Sequence, residues 1–158
     1  MPAASQTISD TSTTAPHISS LLRIEIAKQV AVALKEDIAT GDINAQLIPD
    51  TQRDTATIIC REPMVVAGKA WVDEVFRQLD PNMQLDCAVK DGDAVAANQI
   101  LVTLIGNTRA LLTGERTALN FLQTLSSTAT VVANHVAVIA ELPTKLLDTR
   151  KTLPMLRH

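Results

Sequence analysis

Residues 84–125, QLDCAVKDGDAVAANQILVTLIGNTRALLTGERTALNFLQTL, contain the change of pattern that decides the fold. Gln84 to Val89 reads as a strand, Asp91-Gly92-Asp93 as a tight turn, and Ile100 to Ile105 as a second strand ending at Gly106-Asn107. From Thr108 the pattern turns helical and stays so through Leu125. This stretch is therefore antiparallel in character and runs into a helix, which places the chain in the mixed α+β class.

Working outward toward the N-terminus, KAWVDEVFRQLD at 69–80 puts Trp71, Val72, Val75, Phe76 and Leu79 on one helical stripe, closed by Asp80-Pro81-Asn82. Trp71 and Phe76 are expected in the core. TATIICR at 55–61 is β-branched and apolar enough for a strand, with VVAG at 65–68 a short continuation beyond Pro63. An amphipathic helix spans Ile18 to Glu36 and ends in EDIATGD, where Gly41 breaks it and neighbouring side-chain oxygens can cap it. Toward the C-terminus, a second helix is predicted from about Thr128 to Glu141, before Pro143, and Lys145 to Asp148 has strand length. The predicted organisation is an arm over 1–17, an α/β sandwich domain over 18–107, and over 108–158 a helical connection followed by the start of a further domain.

Bulk composition narrows the function. The 158 residues, 46% of them apolar, suffice for one sizeable core, and the first twenty are small, polar and hydroxyl-rich, like a disordered arm. A net charge of -3 with pI near 5.5 gives no global positive field for nucleic acid or an anionic membrane. The most apolar later window, Thr130 to Leu142, is interrupted by Asn134, His135 and Glu141 and is too short to span a bilayer, so a cytoplasmic location is expected. Cys60 and Cys87 read as free thiols, and neither they nor His17, His135 and His158 have metal-ligand spacing.

Two clusters can carry chemistry. In TGERTALNFLQTLS, Arg116 and Asn120 lie one helical turn apart, and Gln123 and Thr124 continue the same polar side. A solvated helix face has the same spacing. An arginine in an otherwise apolar helix, with Glu115 beside it, also suits an anion-binding guanidinium held by a partner. In LLDTRKTLP an apolar segment runs into Asp148, Thr149, Arg150, Lys151 and Thr152, and loops at the carboxyl ends of strands are where α/β architectures bind ligands. Arg150 could hold a carboxylate bidentately, with Lys151 a point charge for phosphate or a second carboxylate. A basic surface turn is the plainer reading.

Five segments, in order, resemble those of quinolinate phosphoribosyltransferases. EDIATGDIN resembles the pattern E-D-x-G-x-G-D-x-T, REPMVVAG the pattern R-E-x-x-V-x-A-G, and DGDAVAANQILVTLIG a G-D-x-V strand pair. GERTALNFLQTLSSTAT resembles E-R-x-x-L-N-x-x-x-x-x-S-G-x-A-T, and LDTRKTLPMLR resembles D-T-R-K-T-x-P-G-x-R. Ser127 and Met155 stand where the last two patterns have glycine, a residue often placed for positive φ or close backbone approach.

This resemblance implies transfer of phosphoribosyl from phosphoribosyl pyrophosphate to the nitrogen of quinolinate, with decarboxylation, in NAD biosynthesis. It implies Mg2+, with ligands not expected in this chain, and a homodimer in which Arg116 reaches the quinolinate carboxylates of the neighbouring subunit's site. Arg150 and Lys151 would border quinolinate in their own subunit. The family's incomplete α/β barrel is expected to begin at the last segment, with the acidic and further basic residues of the phosphoribosyl site beyond His158; no catalytic residue is assigned.

Three other readings stand beside this one. The chain could be a binding or dimerisation module without activity, or a near relative of the same fold linked to molybdenum transport. Alternatively, DGDAVAANQILVTL could belong to a biotin- or lipoate-carrier domain, although Lys90 lies outside a convincing modification motif and the long helices do not fit a flattened barrel.

Overall fold

The computed structural model describes residues 18–39, 41 and 43–149. Helix α1 covers Ser20–Ile38, opened by Ser19, whose hydroxyl accepts the Leu22 N–H at 3.2 Å. Ile26, Val30 and Leu34, four residues apart, form its buried stripe. A single-turn helix, α2 (Ile43–Gln46), follows a segment that the sequence presents only as a breaker.

Five strands form two small sheets. In the larger, β5 (Ile100–Asn107) lies between β1 (Arg53–Ile59) and β3 (Gln84–Cys87), antiparallel to both. In the smaller, β2 (Met64–Val65) pairs with β4 (Ala94–Val95). VVAG is therefore not a continuation of β1. Pro63 has no N–H to offer a ladder, and the chain turns there, so the strand beyond it bonds a different neighbour. Helix α3 (Lys69–Leu79) starts where expected and buries Val72, Val75 and Phe76. Trp71 is half-buried: its indole N–H donates to Gln29 Oε1 at 2.9 Å, and its ring lies 6.3 Å from that of Phe121.

The largest departure from the sequence reading is α4, one unbroken helix over Thr108–Val138 in place of two. At 1.5 Å per residue it is about 46 Å long. The step Ser126-Ser127-Thr128, between the two expected helices, is continuous helix. The Ser126 hydroxyl accepts the Ala67 N–H and donates to the Ala67 carbonyl, both at 3.0 Å. The Thr130 hydroxyl accepts the Val65 N–H at 2.9 Å and donates to the Ser126 carbonyl at 2.7 Å. The helix thus serves as a second partner for the backbone of β2 and the residues after it. Gly114 lets α4 cross α3 closely: a Cβ there would lie 2.8 Å from both Leu79 Cδ1 and Phe76 Cε1.

A single core joins Ile26, Val30, Val66, Val75, Phe76, Leu101, Leu104, Leu111, Ala118 and Leu122. It therefore crosses residue 107 into the first half of α4. The second half projects from it with Val131, Val132, Val136 and Val138 exposed. Lys145–Asp148, expected as a strand, has no regular structure. A strand needs a hydrogen-bonded neighbour, and no described strand lies beside this one. Cys60 is buried, Cys87 half-buried, and both are free thiols.

Ser126 is 1% exposed, so Ser126→Ala leaves the Ala67 N–H and carbonyl without partners beneath the helix. The expected cost is about 1–3 kcal/mol of stability, read as a lower midpoint in urea with an unchanged slope. An unchanged midpoint would mean that water replaces the hydroxyl.

Candidate functional site

The polar side of α4 meets the last turn of α1. Asp37, 17% exposed, forms an ion pair with Arg116, its Oδ1 3.1 Å from Nε, and accepts the Thr117 hydroxyl through Oδ2 at 3.2 Å. Thr117 is buried, so its hydroxyl depends on that carboxylate. The Arg116 side chain is 75% exposed. Arg116 stands between two open clefts that share Asp37, Arg116 and Asn120. One, of about 760 Å³, adds Ile38, Gly41 and Gln123; the other, of about 640 Å³, adds Gln29, Trp71 and Thr124.

The partner that holds Arg116 is Asp37 rather than its neighbour Glu115, because adjacent residues on a helix do not face each other. Asp37 was missed although it lies in the EDIATGDIN segment, whose oxygens were read only as capping groups. Of the three expected binding residues, the structure places Arg116; Arg150 and Lys151 lie outside the described residues, as does Met155. Ser127, expected to need a glycine's backbone, is an ordinary exposed helical residue of α4 without positive φ.

Two described non-glycine residues have positive φ, Asn98 at 64° and Ala39 at 44°; Ala39, with ψ -110°, is the C-cap of α1 two residues after Asp37. In the E-D-x-G-x-G-D-x-T pattern it stands at the first glycine. An L side chain there is strained by about 1–3 kcal/mol.

A second polar group, Lys69, Asp73 and Cys87, lies at the start of α3. Burial, and secondarily the Asp73 carboxylate, pushes the Cys87 thiol up, away from the thiolate that a nucleophile needs. Among the described residues, no three His, Cys, Asp or Glu side chains converge where they could hold a metal ion, and no helix is long and apolar enough to cross a membrane. The Mg2+ implied by the resemblance finds no donor set among the described residues.

The described residues form an antiparallel α+β domain in which Arg116, paired with Asp37, stands between two open clefts. Residues 37–126 match the family model for the quinolinate phosphoribosyl transferase N-terminal domain. The chain is 41% identical over 124 residues to a probable carboxylating nicotinate-nucleotide pyrophosphorylase of Synechocystis sp., covering 78% of this chain and 42% of that protein. A counterpart in Bacillus subtilis is 40% identical over 122 residues, covering 77% of this chain and 42% of that one. The nicotinate-nucleotide pyrophosphorylase structure from Francisella tularensis superposes with a TM-score of 0.82 at 45% identity, over 89% of this chain and 50% of that one. This chain belongs to the quinolinate phosphoribosyl transferase family, and it spans half the length or less of these relatives.

Two substitutions check the geometry. Because the Arg116–Asp37 pair is largely solvated on the arginine side, Arg116→Ala is expected to cost no more than about 1 kcal/mol, a shift of a few degrees in thermal midpoint. A much larger fall would identify the pair as a structural brace. Ala39→Gly is expected to raise stability by roughly 1 kcal/mol, since relief of the backbone strain exceeds the added chain entropy; a lower midpoint would contradict that backbone.

Proposed function

We propose that this chain supplies the N-terminal half of an enzyme that transfers the phosphoribosyl group of phosphoribosyl pyrophosphate to the ring nitrogen of quinolinate. The nitrogen lone pair forms the new bond to the ribose anomeric carbon as pyrophosphate leaves with the electrons of the broken C–O bond. The quaternised ring then accepts the electrons of the C–CO2 bond as carbon dioxide leaves, and the resulting ring carbanion takes up a proton from solvent to give nicotinate mononucleotide in NAD biosynthesis. The observation that carries this reading is the exposed Arg116 guanidinium, ion-paired with Asp37, at the E-R-x-x-L-N position of a family member.

Quinolinate is a dianion, so its binding calls for fixed cations. Arg116 would meet a carboxylate with two parallel N–H···O bonds across the interface of a cytoplasmic homodimer, acting in the neighbouring subunit's site. Arg150 and Lys151 would hold quinolinate from its own subunit. Cationic groups around the leaving pyrophosphate would offset the charge that develops there.

The test is formation of nicotinate mononucleotide from quinolinate, phosphoribosyl pyrophosphate and Mg2+. The 158-residue chain alone is expected to give none, and the chain continued to the length of its relatives is expected to turn over. In the longer protein, Arg116→Ala should lower kcat/KM about 10²-fold, the equivalent of about 3 kcal/mol for a lost charged hydrogen-bond pair. Turnover by the short chain would mean that Arg116, Arg150 and Lys151 suffice. An inactive long chain that still associates would favour a binding or dimerisation module.

A further inference from the structure

We propose that Asp37 is a positioning residue for substrate: its ion pair with Arg116 holds the guanidinium at the clefts, where it meets a carboxylate. The proposal rests on the reading of Arg116 as a carboxylate-binding residue. Asp37 Oδ1 lies 3.1 Å from Nε in an ion pair, which ties one side of the guanidinium to α1 while the exposed remainder faces the clefts that Arg116 lines.

The carboxylate is itself fixed. Its second oxygen accepts the hydroxyl of Thr117, which is 4% exposed, so rotation of the Asp37 side chain would strand a buried polar group. Asp37 is mostly covered at 17% exposure while Arg116 is open at 75%, so the held end of the pair is in the protein and the free end is in the clefts. The two residues come from different helices, α1 and α4, and Thr117 is the residue after Arg116 on α4. The orientation of the guanidinium therefore follows from how α1 docks on α4, not from the rotamer preferences of a lone surface arginine.

Arginine side-chain NMR on the chain continued to the length of its relatives, titrated with quinolinate, tests this directly. In the wild type the Arg116 Nε–H, assigned by its loss in Arg116→Lys, is expected to exchange slowly with water, and its Nη signals to shift saturably as quinolinate is added. Asp37→Asn keeps the shape and a group able to bond Thr117 but removes the charge; it should speed Nε–H exchange and raise the dissociation constant about tenfold or more. Asp37→Glu, which restores the charge, should return binding to within about threefold of wild type. Should Asp37→Asn not fold, Thr117→Val replaces it, keeping both charges while freeing the carboxylate, with an expected weakening of about threefold.

Binding in Asp37→Asn within about twofold of wild type, or no change in the valine variant where that one is used, overturns the positioning role and leaves Arg116 as a ligand. Asp37→Glu behaving like Asp37→Asn also overturns it, because the effect would then lie in the turn and not in the charge. If wild-type Arg116 shows no saturable shift, its reading as a carboxylate-binding residue falls first, and the proposal with it.

Discussion

No loop separates β5 from α4: Asn107 ends the strand and Thr108 begins the helix, and the polar groups of this corner fix the direction in which the helix leaves the sheet. Asn107 caps the helix by accepting the Ala110 N–H at 3.2 Å, its own N–H donates to Asp80 at 3.1 Å, and its amide donates to the Asp50 carbonyl. The Thr108 N–H donates to the Gln52 carbonyl at 3.0 Å, and its hydroxyl donates to Asp54 at 2.6 Å. Hydrogen bonds from Thr108 and then Gln52 hold the Asp54 carboxyl below its usual range, as expected for a carboxylate that receives donors. With the helix aimed by these bonds, Arg116 lies about 12 Å along its axis from the corner, a distance set by helical rise alone.

The same aim determines what α4 can cover. Its first half closes the core, and at Ser126 and Thr130 it completes the bonding of a two-stranded sheet too short to satisfy its own backbone. Gly114 sets the crossing with α3, and α1, packed against both helices, brings Asp37 up to the polar side of α4. The site is thus a by-product of three-helix packing: moving any of these contacts would shift Asp37 relative to Arg116.

Elements whose apolar spacing matches their own geometry were legible in the sequence. Helix α3 begins at the expected residue, and the strands at 84–87 and 100–107 and the antiparallel character follow from local pattern and the Asp-Gly-Asp turn. What escaped depends on partners distant in sequence. The gap expected between two helices at 126–127 is filled by continuous helix, and the backbone that Ser126 bonds there lies some 59 residues earlier. β2 could not be assigned to β4 without knowing where the chain turns, and Lys145–Asp148 has strand composition without a neighbour to pair with. At the site, Arg116 was visible as a charge in an apolar helix. Its brace was not, because Asp37 is 79 positions away and nothing local distinguishes it from Glu36.

The presence of a carboxylate beside an arginine meant to receive a dianion raises an electrostatic objection, and magnitudes decide it. A ligand carboxylate on the exposed side of the guanidinium would lie roughly 6 Å from Asp37, where repulsion between unit charges in a water-like medium is about 0.7 kcal/mol. An unbraced arginine loses up to about 2 kcal/mol of side-chain entropy when it is fixed on a ligand. The Asp37 contact meets that loss in advance, during folding, so orientation exceeds repulsion as long as the cleft stays solvated. In a closed, low-dielectric site the balance would reverse unless further cations surrounded the ligand. A dianion held by Arg116 therefore needs at least one more fixed positive charge on its far side, which is the role that Arg150 and Lys151 would have in the proposed enzyme.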